Sequence, residues 1–233
     1  MERNYNVRVG RLLFGELRYA ALFFALEFVP ARTLDWPRAW ILLGVVFVVR
    51  TLGGLSVIRV NPDLLEERSK IPIHSGQPTL DKILLPAVMA TFAGVIAICS
   101  IDRFHLRLFP EPDIILSVAG LFAVVGGWSL VFAALRANAF ATTVVRHQPD
   151  RQHQLIDSGV YSWVRHPLYM GMIPVMLGLS LWLGSWAGVL FSIVPIGILM
   201  IRITVEERVL RSSLPGYSEY SARVRKRLIP FVW

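Results

Sequence analysis

Residues 168–205 read LYMGMIPVMLGLSLWLGSWAGVLFSIVPIGILMIRITV, and Arg202 carries the one formal charge in the run. A helix crossing the apolar core of a bilayer needs about 20 residues. This stretch is long enough for two such helices, and Gly184-Ser185-Trp186 marks the fold between them. It reads as a membrane hairpin.

Working outward, upstream apolar blocks of span length cover about 114–135, 83–101 and 39–58, the last with Arg50 inside it. A weaker block, about 12–30, is interrupted by Glu16, Arg18 and Glu27. It reads either as a span or as a tilted, interfacial helix. The expected fold class is all-α: a polytopic helical membrane protein of about six spans, or five if the first is interfacial. Composition agrees. Hydrophobic residues make up 55% of the 233 and charged residues 17%, against about 25% charged in soluble domains. The expected organisation is N-terminal transmembrane helices at 1–135 with an interfacial loop at 59–82, then a catalytic region at 136–233. In that loop Asn61-Pro62 marks a turn, and Asp63 to Arg68 form a short amphipathic helix, on the headgroups or as a lid.

Net charge is +8, but the basic residues sit in particular loops and not along one soluble face, which argues against a nucleic-acid partner. With both termini inside, 17 of the 24 Lys and Arg fall in inside segments and four in outside loops. The positive-inside rule then places both termini, the loop 136–167 and the tail 202–233 in the cytoplasm. Cys99 lies in an apolar block and reads as a small packing residue. No cleavable signal peptide is apparent.

The titratable and aromatic residues crowd against the last hairpin. His153-Gln154-Leu155-Ile156 lead through Gly159-Val160-Tyr161 to Arg165-His166-Pro167-Leu168-Tyr169-Met170-Gly171. Glu206-Glu207 and Gly216-Tyr217-Ser218-Glu219-Tyr220 follow the apolar run. Ionisable groups at a membrane boundary are costly and usually functional. Pro167 starts a helix whose free N–H groups suit an anion, flanked by Arg165 and His166. Arg202 and Glu206 are four apart on one helical face, as an ion pair or as ligands for two different groups. No metal is expected: His147, His153 and His166 lack ligand spacing. No GxGxxG or phosphate loop is present, which excludes a Rossmann-type nucleotide site.

From about Asn138 onward this pattern resembles the isoprenylcysteine carboxyl methyltransferases and their bacterial relatives, which overlap with the membrane phospholipid methyltransferases. The resemblance rests on H-x-L, G-x-Y, R-H-P-x-Y-x-G, E-E-x-x-L and G-Y-x-x-Y in order. It implies an enzyme using S-adenosylmethionine as cofactor. His153, Gln154, Leu155 and Ile156 would line the adenosine pocket, and Tyr161 would close over it. His166, Pro167, Leu168 and Tyr169 would meet the ribose and methionine portion, and Glu206 the amino end. Arg202 would face the substrate carboxylate, with Arg165 and Glu207 beside it as further catalytic candidates. Arg146 stands where the eukaryotic enzymes have a cofactor-contacting glutamine.

The implied reaction is methyl transfer to a carboxylate of a lipophilic, isoprenylcysteine-like acceptor. A carboxylate is ionised at pH 7, its pKa being about 4, so a cation to fix it suffices. The alternative is a phospholipid amine N-methyltransferase, which needs a base, for which Glu207 is the candidate. An NADPH-dependent reductase would use Arg146, Arg151 and Arg165 for phosphate. A non-enzymatic scaffold or transporter would show repeats, and none is visible. Expected partners are the lipophilic or lipidated acceptor and membrane lipids, while oligomeric state is not legible.

Overall fold

The computed structural model describes residues 2–69, 77–145, 151 and 153–228. Lys70, Arg146 and His147 lie outside the described residues, as do 229–233. Every regular element among the described residues is helical. In order they are α1 (Glu2–Ala31), α2 (Pro37–Val60), α3 (Leu64–Ser69), α4 (Thr79–Ile101), α5 (Ile114–Ala137), α6 (Pro167–Leu183), α7 (Trp186–Phe191), α8 (Ile193–Ser213) and α9 (Tyr217–Arg223). A π-helical turn, Asp102–Leu106, prolongs α4, and a 3-10 turn, Gly159–Ser162, precedes α6.

Local chemistry sets the boundaries. Pro37 and Pro167 open their helices, where a missing N–H costs nothing. Asp113 caps α5 by accepting from the Leu116 N–H at 2.8 Å, and Ser185 caps α7 by accepting from Gly188 N–H at 3.0 Å. Gly184, at φ 88°, ends α6 in the left-handed conformation. The expected fold of the 168–205 run therefore falls at Gly184.

Among the described residues, four helical stretches are long and apolar enough to cross a membrane: α2, α4 with its π turn, α5, and α7 with α8. These four are candidates by length and composition, and they do not establish the expected count of about six, or five if the first is interfacial. Helix α6 is apolar but only 17 residues long. Helix α1 is long enough but carries Glu16, Arg18 and Glu27. It also begins at Glu2, well before the expected start near residue 12. Its polar first turns are tied down by Arg8–Asp63 at 2.5 Å and Arg11–Glu66 at 3.0 Å. Glu16 is buried and accepts from Arg50 Nε at 2.7 Å and Nη2 at 3.0 Å. The Arg50 guanidinium also lies 3.7 Å from the centre of the Tyr19 ring and 4.6 Å from that of Trp128. Glu16 of α1 and Arg50 of α2 thus compensate each other between the helices.

Large apolar side chains cover the outside, with Val29, Ile115 and Phe122 all at least 70% exposed. Soluble monomers do not carry such a belt. The chain is an integral membrane protein.

The most extensive helix contact is α5 on α6, and glycine creates it. A Cβ placed on Gly127 would stand 2.5 Å from the Gly171 carbonyl oxygen, and one on Gly171 would stand 2.6 Å from the Gly127 oxygen. Two turns away Gly120 and Gly178 repeat the arrangement at 2.6 and 2.4 Å. Small residues let backbones touch where lipid supplies no hydrophobic drive. Gly171 of the R-H-P-x-Y-x-G pattern is thus a packing residue.

The bundle has two distinct ends. At one, Trp182 Nε1 donates to the Arg38 carbonyl at 2.7 Å, and Arg103 pairs with Glu111 at 2.8 Å. At the other, Asn61 Nδ2 donates to the carbonyls of Leu135 and Arg136 at 2.8 and 2.9 Å. Arg68 Nη1 donates to the Ala141 carbonyl there at 2.6 Å. The loop before α6 and the segment after α8 meet at this second end, where Arg165 N–H donates to Lys226 O and His166 N–H to Arg227 O.

Candidate active site

A cavity of about 540 Å³ opens at that second end and runs down into the bundle, within the size range of small-molecule sites. All ten residues expected to hold a cofactor lie on its wall: His153, Gln154, Leu155, Ile156, Tyr161, His166, Pro167, Leu168, Tyr169 and Glu206. Arg165 and Arg202 line it as well. Glu207 is buried behind the wall.

Gly159 adopts φ 59° and lets the chain enter the 3-10 turn that buries Tyr161. Tyr220 Oη donates to the Tyr161 carbonyl at 2.7 Å and fixes that turn from α9. His166 stacks on Tyr169 with ring centres 5.7 Å apart. Tyr169 Oη donates to Glu206 Oε2 at 2.7 Å, which fixes the carboxylate on the wall. Gly216, at φ 79°, turns the chain from α8 into α9. Tyr217 and Tyr220 then pack with Leu214 and Val224, against Leu155.

The Tyr217 hydroxyl is buried and has no hydrogen-bond partner among the described residues, and the ring lines the cavity. Burial pushes its phenol well above the usual range, so it keeps its proton. A buried hydroxyl left unmatched costs about 1–3 kcal/mol. The sequence pattern contained this residue in G-Y-x-x-Y but gave no sign of its orphaned hydroxyl.

Glu207 anchors the floor. It accepts from Arg165 Nε at 2.6 Å and Arg227 Nε at 3.2 Å, with His166 Nε2 3.3 Å away. Arg165 Nη1 donates to the carbonyls of Val224 at 2.7 Å and Arg225 at 3.0 Å. The side chains of Arg165 and Glu207 thereby clamp the segment after α9 under the cavity.

Arg202 does not pair with Glu206 as the i,i+4 spacing invited. Its Nε donates to Asp81 Oδ1 at 2.7 Å, and its Nη2 donates to the Thr143 carbonyl at 2.5 Å. Asp81 is fully buried in the first turn of α4, where it also accepts from Gln77 Nε2 at 2.7 Å and the Val145 N–H at 3.1 Å. Such a pair is strongly sensitive to loss of one partner. Asp81→Asn is expected to destabilise the protein by about 3–5 kcal/mol. Asp81→Leu with Arg202→Met should recover most of the loss. Thermal unfolding of the single and double variants in detergent checks this. A single Asp81→Asn variant as stable as the parent would remove the pair from the account.

The deeper half of the cavity is apolar. Leu22 and Leu26 of α1 line it, as do Met89 and Phe92 of α4. Leu22 and Met89 are each 58% exposed, so the cavity opens sideways, towards lipid, between these helices. Arg50 and Arg68 also line it.

The family described as Phospholipid methyltransferase matches residues 115–215. The protein-S-isoprenylcysteine O-methyltransferase of Saccharomyces cerevisiae is 30% identical over 155 residues, covering 62% of this chain and 63% of the yeast protein. The human protein of that name is 36% identical over 121 residues, 50% of this chain and 42% of its own length. "Probable protein-S-isoprenylcysteine O-methyltransferase" of Oryza sativa subsp. indica is 34% identical over 130 residues, 54% of this chain and 68% of the rice protein. The chain belongs to the protein-S-isoprenylcysteine O-methyltransferase family. It spans about half the length of several curated relatives it matches. The family-matched stretch 115–215 runs from α5 to the turn before α9. This family-matched core holds the glycine seam, His166 to Tyr169, and Glu206. Helices α1 to α4, with Arg68 and the lateral opening, lie before it.

Proposed function

We propose that this chain transfers a methyl group from S-adenosylmethionine to the carboxylate of an isoprenylated cysteine at the membrane. The observation that carries the reading is one continuous cavity with two chemically different halves. One half is polar and aromatic, lined by 153–169 and Glu206. The other is apolar and opens towards lipid between α1 and α4. The first suits a charged, water-soluble cofactor and the second a lipid tail.

The residues fit the cofactor. Glu206 offers a fixed carboxylate for an ammonium, and the buried Tyr217 hydroxyl offers a free donor. The wall from His153 to Tyr169, with Glu206, would hold S-adenosylmethionine, which would supply an electrophilic methyl for a carboxylate oxygen while sulfur kept the electron pair of the broken methyl–sulfur bond, with no proton moved. The chain's own task is to align the two molecules and exclude water. Tyr161 and Tyr220 brace the mouth, and the clamp of Arg165 on Glu207 holds the floor. The cavity mouth lies at the end rich in Lys and Arg, which supports a cytoplasmic site with both termini on that side.

Amine methylation is the second reading, supported by the family described as Phospholipid methyltransferase. An ammonium must first lose a proton to a base. Glu207 is poorly suited, being enclosed by Arg165, Arg227 and His166 behind the wall. The test is transfer of radiolabelled methyl by protein in nanodiscs, offered S-farnesyl-N-acetylcysteine or phosphatidylethanolamine. Base-labile label on the farnesylated acid is expected. Label on the phospholipid alone would replace this reading with the second.

A further inference from the structure

Four arginines stand on the cavity wall: Arg50, Arg68, Arg165 and Arg202. Three have a carboxylate partner. Arg50 pairs with Glu16 at 2.7 Å, Arg165 with Glu207 at 2.6 Å and Arg202 with Asp81 at 2.7 Å. Arg68 alone has none among the described residues. Its guanidinium makes one hydrogen bond, from Nη1 to the Ala141 carbonyl.

Its placement is fixed from several sides. Helix α3 is anchored by fully buried Leu64 and by the two hydrogen bonds of Asn61 to the end of α5. Thr143 Oγ1 donates to the Arg68 carbonyl at 3.3 Å. Arg68 and Arg202 therefore grip the same loop, at Ala141 and Thr143. Arg68 is close enough to Tyr161, Tyr169, Arg202 and Arg50 to interact with them electrostatically. It shares the cavity wall with residues of both the polar and the apolar half. Burial pulls its pKa below the ordinary guanidinium value, as expected for a desolvated cation that lacks a counter-charge.

We infer that Arg68 holds the carboxylate of the lipophilic acceptor, while Arg202 is a strut that fixes the loop beside it. The inference rests on the carboxyl-methylation reading above and assigns its anion site to the N-terminal half. The group suits the task. A guanidinium grips a carboxylate with two parallel hydrogen bonds, and Arg68 has donors to spare. Once the acceptor is esterified its negative charge is gone, and Arg68 loses its hold on the product. Binding before transfer and release after it then follow from one side chain.

The test uses the full chain in detergent, saturated with S-adenosylhomocysteine. Calorimetry measures binding of S-farnesyl-N-acetylcysteine and of its primary amide, which has the same shape without the charge. The parent protein is expected to prefer the acid by at least about 30-fold, the scale of a charge-assisted bidentate contact worth about 2 kcal/mol. Arg68→Leu should cut that preference to threefold or less, and Arg68→Lys should restore part of it. Affinity for S-adenosylhomocysteine should stay within twofold in both variants. An Arg68→Leu variant that keeps the full preference overturns the assignment and returns the anion to Arg202. Joint loss of S-adenosylhomocysteine and both probes makes Arg68 structural and also overturns it. A parent protein that does not distinguish acid from amide overturns the carboxyl reading and this assignment together.

Discussion

Glu206→Gln should weaken S-adenosylhomocysteine binding by about 100-fold and leave the protein folded. The carboxylate stands on the cavity wall, fixed by the Tyr169 hydroxyl at 2.7 Å. A charge-assisted hydrogen bond to a ligand ammonium contributes about 1.5–3 kcal/mol, and 2.7 kcal/mol is 100-fold in affinity. The amide oxygen of Gln still accepts from Tyr169, so the wall keeps its shape while losing its charge. Tyr169→Phe should cost much less, about tenfold, because the carboxylate remains but swings more freely. Calorimetric titration of the three proteins decides. Parental affinity in Glu206→Gln would mean that another group meets the amino end of the cofactor.

The second large effect lies in the glycine seam. Gly126 and Gly127 are neighbours in α5, yet a Cβ on Gly126 meets nothing within 4 Å while one on Gly127 meets the Gly171 oxygen at 2.5 Å. Gly126→Ala should be neutral or stabilising by up to about 1 kcal/mol, the helix-propensity gain. Gly127→Ala forces two backbones apart and should cost about 3 kcal/mol. That corresponds to roughly 6–12 °C in melting temperature for a chain this size. Gly171→Val should prevent accumulation of folded protein, since a branched side chain cannot be housed against the α5 backbone. The paired alanine variants, melted side by side in detergent, separate a local seam from a general intolerance of change. Equal melting temperatures for the two would dissolve the seam as an explanation.

Much of the architecture was legible because it is written in local terms. Apolar length gave α2, α4 and α5, and Gly184-Ser185-Trp186 gave the hairpin. Asn61-Pro62 announced α3. The residues from His153 to Tyr169, with Glu206, could be grouped before any fold was known because most are close in sequence. What stayed hidden depends on distance along the chain. Asp81 is 121 positions from Arg202, and no periodicity links them, so Arg202 read as a partner of Glu206 or as a cation for a ligand. Arg68 read as part of a charged surface helix, because nothing in the sequence shows that its neighbours face a cavity. Glu16 and Arg18 made α1 look weak as a span, and only the position of Arg50 explains why Glu16 is tolerated.

The same long separation bears on how the protein is made. Asp81 leaves the ribosome 121 residues ahead of Arg202. At about 5–20 residues per second it waits roughly 6–24 s for its counter-charge. During that interval the nascent chain carries an acidic group in the first turn of a membrane helix with its cation still unmade. A chain arrested before α8 keeps that carboxylate without its cation, and so differs chemically from a finished one at the first turn of α4.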